Sequence, residues 1–240
     1  MSVISQKIDC PIDILISDDC SSDDSLGVLK RIKSSWESDR VKIFIFQQEK
    51  NMGEVKNVKF LLDMCDGDYI AYIDADDYWI DPNKLQKQID FLESNEEYSM
   101  CFTGYIIKNE NEFVPTSDGS SFLGLMEDWN IENMLTPESL SKDNFIFASS
   151  RFFRNYKNLY KKYFEIFTAS DWAINFELSL KGKIKYVDYP SYVYRTKSGS
   201  LSTKNDLNID PEKYLEEIKS AFLSRILEEK NEKSISPGSF

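Results

Sequence analysis

Asp68-Tyr69-Ile70-Ala71-Tyr72-Ile73-Asp74-Ala75-Asp76-Asp77-Tyr78-Trp79 decides the reading of this chain. An apolar strand over 68–73 runs straight into three carboxylates within four residues. Like charges that close repel and raise one another's pKa unless something positive lies between them. A hard divalent cation with oxygen ligands is the usual neutraliser, and it shares its coordination sphere readily with phosphates. The carboxyl ends of strands are also where open α/β sheets bind ligands. The segment therefore points to a metal or ligand site at a strand end, with a solvated acidic turn as the plain alternative.

Outward from this stretch, strands and helices alternate. Residues 12–16 read as a buried strand, followed by the loop Ser17-Asp18-Asp19-Cys20-Ser21-Ser22-Asp23. Ser22 or Asp23 can cap the next helix, whose Leu26, Leu29, Ile32 and Trp36 fall at helical spacing. A strand over 41–46, a helix over about 54–65, the acid-tipped strand, a helix opened by Asp81-Pro82 and a strand over 98–107 complete a β-α-β-α-β-α-β order. That order is the signature of a largely parallel sheet with crossover helices. Residues 108–144 are irregular and read as an insertion, with a short helix near 129–135. The spacing then predicts a strand over 144–148, a helix from Asp171 to about Leu180, a strand over 183–188, a polar loop over 194–203 and an amphipathic helix from Pro211 to about Lys230.

The composition excludes several classes. With 240 residues and 41% hydrophobic content, the chain can build a substantial core. A net charge of −12 disfavours nucleic acid and other polyanions as partners. There is no histidine, which rules out every His-dependent triad or metal ligand and leaves general-base work to Asp, Glu, Lys or Tyr. The four cysteines, Cys10, Cys20, Cys65 and Cys101, form no C-x-x-C pair and read as reduced thiols of a cytoplasmic protein, two of them in the core. No apolar run is long enough to cross a bilayer and no leader is expected before the first strand, so any membrane contact is expected to be peripheral, at the inner face.

Glycine-rich phosphate loops are missing. Phosphate binding would fall to a metal and to scattered cations, for which Lys56, Arg195 and Lys197 are candidates against a reading as solvated surface charges. The loop carrying Asp18 and Asp19 ends a strand as the 74–77 turn does, so a parallel sheet would put both on one edge. For Asp18-Asp19, helix capping and ligand binding both stand and are compatible. Asp171, just before a helix, is explained as an N-cap; a role as base requires that it face the acidic edge.

These residues together resemble the family 2 inverting glycosyltransferases. The resemblance is carried by Ile-Leu-Ile-Ser-Asp-Asp-Cys-Ser-Ser-Asp (14–23), Asn51-x-Gly53, the run 67–79 and Asp81-Pro-Asn-Lys-Leu (81–85), and more weakly by Ser170-Asp171-Trp172 and the run 194–200. It implies a GT-A fold: an α/β, Rossmann-like, mostly parallel sheet flanked by helices, with an acceptor-side insertion and a C-terminal helix. It implies a nucleotide-sugar donor, commonly UDP-linked, with Asp19 near the base. It implies Asp74 and Asp76 as a D-x-D pair, with Asp76 reaching Mg²⁺ or Mn²⁺, and Asp171 as the base that deprotonates the acceptor hydroxyl. Asp77 is then the structural member of the cluster.

The resemblance also sets expectations of organisation. Residues 1–205 would form the glycosyltransferase domain, divided into a nucleotide-sugar half (1–107) and an acceptor half (108–205), and 206–240 a C-terminal helix and tail. The family's first strand, central in the sheet, has no counterpart here, since 1–7 match only the end of the helix that follows it. The domain is thus expected to be incomplete at its amino terminus, with a homo-oligomer as one way of supplying the strand. Lys197 stands where many members carry a His; a protonated Lys cannot ligate a metal but can pair with phosphate. The implied partners are a nucleotide-sugar donor and a glycan or lipid-linked glycan acceptor in cell-surface polysaccharide synthesis. The alternative is a catalytically impaired remnant of this fold acting as a binding scaffold.

Overall fold

The computed structural model describes residues 2–109, 112–113, 134–157, 170–196 and 211–235. The β-branched run at the start forms β1 (Ile12–Asp18), which pairs in parallel with β2 (Val41–Gln47) across α1 (Ser25–Trp36). Gly53, at φ +82°, turns the chain into α2 (Glu54–Met64), a conformation that glycine adopts without strain. Then follow β3 (Tyr69–Ala71), β4 (Tyr78–Trp79), α3 (Lys84–Glu93), β5 (Tyr98–Asn109) and β6 (Glu112–Phe113). The second half carries α4 (Pro137–Leu140), a 3₁₀ turn (Ala148–Ser150), β7 (Phe152–Arg154), α5 (Ser170–Lys181), β8 (Lys183–Thr196) and α6 (Pro211–Ile235).

The larger sheet runs β3-β7-β5-β8-β4, with β6 on β5. The long ladder β5–β8 is parallel, whereas β3–β7, β5–β7 and β4–β8 are short and antiparallel. Period-two alternation sets its two faces. Met100 and Phe102 of β5 and Phe153 of β7 enter one core with Val58 and Leu62 of α2 and Ile174 and Leu178 of α5. Cys101, Tyr105 and Phe152 enter the opposite core with Trp79 and with Leu85 and Leu92 of α3. A third cluster joins α5 to α6: Phe222 stacks on Phe176 at 3.9 Å and meets the edge of Trp172 at 5.7 Å. At the end of α5, Gly182 lies so close to β5 that a Cβ there would come within 2.8 Å of the Glu97 carbonyl. The fold is therefore the expected α/β arrangement of helices on a mixed, mainly parallel sheet.

Several expectations are corrected. The strands do not form one continuous sheet: β1 and β2 stand apart, and among the described residues no strand joins β1 to β3. The apolar segment at 144–148 forms no strand: 144–147 pair in no ladder and Ala148 already opens the 3₁₀ turn, while the ladder position beside β5 is held by Phe152 and Phe153 of β7. The strand expected to stop at 188 continues to Thr196, since its distal part pairs with both β5 and β4. Residues 194–196, expected to open a polar loop, are therefore strand, and the rest of that expected loop, like most of the helix expected near 129–135, lies outside the described residues. α1 has no fully buried residue, and Val28 and Trp36 are 43% and 44% exposed, because it packs on a two-stranded sheet only. All four cysteines are free thiols: Cys101 is buried, Cys65 half-buried, and Cys10 and Cys20 exposed.

Candidate active site at the acidic turn

The 74–77 turn is built by Asp77. Its backbone N–H closes the turn on the Asp74 carbonyl at 3.0 Å. Its buried carboxylate accepts from the Ser149 hydroxyl at 2.7 Å and from the Arg195 backbone N–H at 3.1 Å. Ser149 in turn accepts from the Asp74 N–H at 3.1 Å, and its carbonyl accepts from the Trp79 indole at 3.0 Å. Asp77 thus ties the acidic turn to the 3₁₀ turn and to the end of β8. Burial, against the opposing pull of these hydrogen bonds, pushes its carboxyl up to about 6. The Arg195 guanidinium Nε donates to the Asp76 carbonyl.

Asp74 and Asp76 flank this clamp, and the Ser149 hydroxyl also lies 3.5 Å from Asp74 Oδ2. Asp76 is exposed at the tip, and Asp74 is half-buried beneath it. Burial raises the Asp74 carboxyl above its ordinary range, and the charges of Asp76 and Asp171 add to the effect; the Tyr72 hydroxyl and Arg151 oppose it. Two neighbouring carboxylates supply the oxygen ligands that a hard divalent cation takes. Among the described residues no three His, Cys, Asp or Glu side chains are grouped closely enough to hold a metal by themselves. Asp74 and Asp76 can supply one or two oxygen ligands, which suits an ion completed by water and substrate phosphate.

Asp171 reaches the same place from the first turn of α5. Its Oδ1 accepts from the Trp172 N–H at 2.8 Å and its Oδ2 from the Asn144 amide at 3.1 Å. The first contact satisfies one of the orphan N–H groups of the helix start, but Asp171 is the second residue of α5 and not the N-cap expected just before it. Its charge also acts on Asp74 and Glu54, so it lies near the acidic turn. Arg151, buried beneath, donates to the Asp171 carbonyl and to the Asn175 side chain, each at 3.0 Å, and lies 5.5 Å over the Tyr72 ring.

Glu54 was not a sequence candidate. It opens α2, and its carboxylate takes the hydroxyl of Ser170, the residue before Asp171. Although the residue is largely exposed, partial desolvation of its carboxyl, helped by Asp171 and Asp74, raises its pKa, with Ser170 and Arg151 opposing. A glutamate in a first helical turn reads as ordinary dipole complementarity, so only its position after Asn51-x-Gly53 carried any signal.

The other candidates separate. Asp19 is engaged through both oxygens: Oδ1 accepts the Met52 N–H at 2.7 Å and Oδ2 the Gly53 N–H at 2.9 Å, which locks the loop after β1 to the turn leading into Glu54. Asp18 is buried and accepts from the Ser21 N–H at 3.3 Å. Neither caps α1, whose start is met instead by Asp23 accepting from the Ser25 N–H at 3.0 Å. Lys56 is exposed on α2 and makes no ion pair among the described residues. Lys197 lies outside the described residues.

The chain has known relatives in sequence and in fold. The family model described as glycosyl transferase family 2 matches residues 1–166. An uncharacterised protein of Mycobacterium tuberculosis is 27% identical over 199 residues, covering 79% of this chain and 51% of that protein. The Escherichia coli UDP-Glc:alpha-D-GlcNAc-diphosphoundecaprenol beta-1,3-glucosyltransferase WfaP is 34% identical over 110 residues, covering 46% of this chain and 40% of that enzyme. The chain thus spans about half the length of such relatives. The mannosyltransferase PcManGT of Pyrobaculum calidifontis, solved with GDP-Man and Mn²⁺, superimposes with a TM-score of 0.57 at 10% identity over 83% of this chain and 52% of that one. The fold is GT-A, and the chain belongs to glycosyl transferase family 2.

Proposed function

We propose that this chain transfers a sugar from a nucleoside-diphosphate donor, a UDP-sugar, to a hydroxyl acceptor with inversion, in the synthesis of a cell-surface glycan. The observation that carries the reading is the meeting of Asp171 with the Asp74–Asp77 turn, through Arg151, Ser149 and Glu54. A relative that uses UDP-Glc and a GlcNAc-diphosphoundecaprenol acceptor supports the substrate class. It also favours a lipid-linked acceptor. Among the described residues no helix is long and apolar enough to cross a bilayer, so contact with such an acceptor would be peripheral.

In this reading Asp76 and Asp74 would hold Mg²⁺ or Mn²⁺, since carboxylate oxygens suit a hard divalent cation. When bound, the ion neutralises charge on the leaving diphosphate. Asp77 and Ser149 hold the turn that presents the two carboxylates, and the Arg195 side chain braces the tip. Asp171 takes the proton from the acceptor hydroxyl on the face of the sugar opposite the diphosphate, which gives a single displacement with inversion. Asp19, by fixing the 51–53 turn, shapes the nucleoside side of the site, with Asp18 beside it. Lys56, Arg195 and Lys197 supply cations for the diphosphate.

Calorimetry with UDP and Mn²⁺ tests the site. Asp76→Ala should weaken Mn²⁺-dependent UDP binding at least tenfold while leaving thermal unfolding unchanged, since Asp76 is exposed. Equal binding by the two proteins would overturn the metal assignment. The separation of β1–β2 from the main sheet favours a second reading, a binding scaffold without transfer. UDP binding without sugar transfer from any UDP- or GDP-sugar would select it.

A further inference from the structure

We propose that Asn144 is a positioning residue that aims the Asp171 carboxylate, held for that task by a one-way hydrogen-bond relay from Arg151 through Asn175. The inference rests on the reading of Asp171 as the base.

The direction of the relay follows from the chemistry of its ends. A guanidinium can only donate, so the Asn175 oxygen that lies 3.0 Å from Arg151 Nη1 must accept. The Asn175 amide nitrogen is thereby turned the other way, and it donates at 2.8 Å to both the Asn144 oxygen and the Ile146 carbonyl. With its oxygen occupied, Asn144 must present its own nitrogen, which donates to Asp171 Oδ2 at 3.1 Å. A carboxylate, which can only accept, terminates the series. Neither amide can flip without setting donor against donor at Arg151 or acceptor against acceptor at Asp171.

Burial makes the relay rigid. Arg151 is 1% exposed and Asn175 is not exposed at all, so water does not compete at the source of the polarity. Arg151 also donates to the Asp171 and Ala148 carbonyls, so the same guanidinium fixes the Asp171 backbone and, through the two amides, its side chain. The Trp172 N–H alone would hold Asp171 by one oxygen and leave its carboxyl plane free to rotate about that contact. The Asn144 amide fixes the second oxygen. The lone pairs that remain are then directed by the protein before substrate arrives, and this kind of preorganisation matters because small misplacements of a reacting group cost about a hundredfold in rate. Glu54 steadies the same turn from the other side through Ser170.

Asn144→Ala removes the donor, and Asn144→Asp keeps the shape but sets a carboxylate against Asp171. The probe is release of nucleoside diphosphate from a panel of UDP- and GDP-sugars, offered with Mn²⁺ and a short polyprenyl-diphosphate-linked N-acetylglucosamine, alongside UDP calorimetry and thermal unfolding. Both variants should lose about 10- to 100-fold in kcat, with KM for the donor and UDP affinity within twofold of wild type. Turnover within twofold of wild type in Asn144→Ala overturns the proposal, as does a loss matched by equally weakened UDP binding. Asp171→Asn separates the two levels of inference. If it retains turnover, the base reading falls and the positioning role with it; if it is inactive while Asn144→Ala is not, only the positioning role falls. Absence of turnover by the wild-type chain across the panel overturns both.

Discussion

Replacing Lys84 with methionine should stabilise the protein near neutral pH, by an amount that vanishes as the pH rises. Lys84 begins α3 and is completely buried. Its ammonium donates to the Gln88 side chain at 2.6 Å and lies 4.6 Å over the Trp79 ring. Neither contact carries a negative charge. The Cys101 thiol beside it is itself pushed up to about 12 by burial and so stays neutral, and Asp81 assists only at a distance. Burial dominates and brings the amine down from 10.5 to about 7. The unfolded chain therefore binds more protons than the folded one between pH 7 and 10.5, and stability rises with pH through that window.

At pH 7 the unfolded amine is fully charged and the folded one half-charged, which costs the fold about 4 kcal/mol relative to a permanently neutral side chain. At pH 9 the cost falls to about 2 kcal/mol by the same relation. Methionine removes that cost but forfeits the Gln88 hydrogen bond and the Trp79 contact, about 1 kcal/mol each. The variant should thus be about 2 kcal/mol more stable at pH 7 and close to wild type at pH 9. Urea unfolding of the two proteins at both pH values measures the gap. The thiols that titrate in the same range are common to both and cancel in the difference. A gap that does not change between pH 7 and pH 9 would refute the reasoning.

Two further outcomes follow from packing and backbone geometry. Phe222→Ala should cost about 4 kcal/mol and lower the thermal midpoint by about 10 °C, because Phe222 is fully buried against Phe176 and Trp172; Leu223→Ala, at a position 54% exposed, should cost less than about 1 kcal/mol in the same scan. Cys20 occupies the left-handed region at φ +64°. Cys20→Gly should therefore leave stability within about 1 kcal/mol of wild type, whereas β-branched Cys20→Val should lose about 1–2 kcal/mol in denaturant unfolding.

Legibility in the sequence tracked the range of the interactions. The helices over 54–64, 84–93 and 170–181 were readable because periodicity, caps and a terminal glycine are local signals. The acidic turn was readable because three carboxylates adjoin in the chain. Asp77 was separable as the structural member, and its contacts with Ser149 and the Arg195 backbone give that role a physical basis. The strand expected at 144–148 failed because apolarity marks burial without choosing ladder partners, and β7 took the place beside β5.

By itself, then, the sequence determined the longer helices and strands of the first half, the cluster of acids shortly after β3 (which ends at Ala71 and not at the expected 73), the family, and the absence of any imidazole from the site. These are properties of residue identity and short-range spacing. Tertiary structure alone decided that Asp19 spends both its oxygens on the 51–53 turn, that Glu54 reaches Ser170, and that Arg151, Asn175 and Asn144 form a directed series ending on Asp171. It also decided that β1 and β2 stand apart from the main sheet. The reason is physical. Hydrogen-bond polarity and strand pairing depend on which groups meet after the chain has closed loops of tens of residues, and neither leaves a periodic trace in the residues that meet.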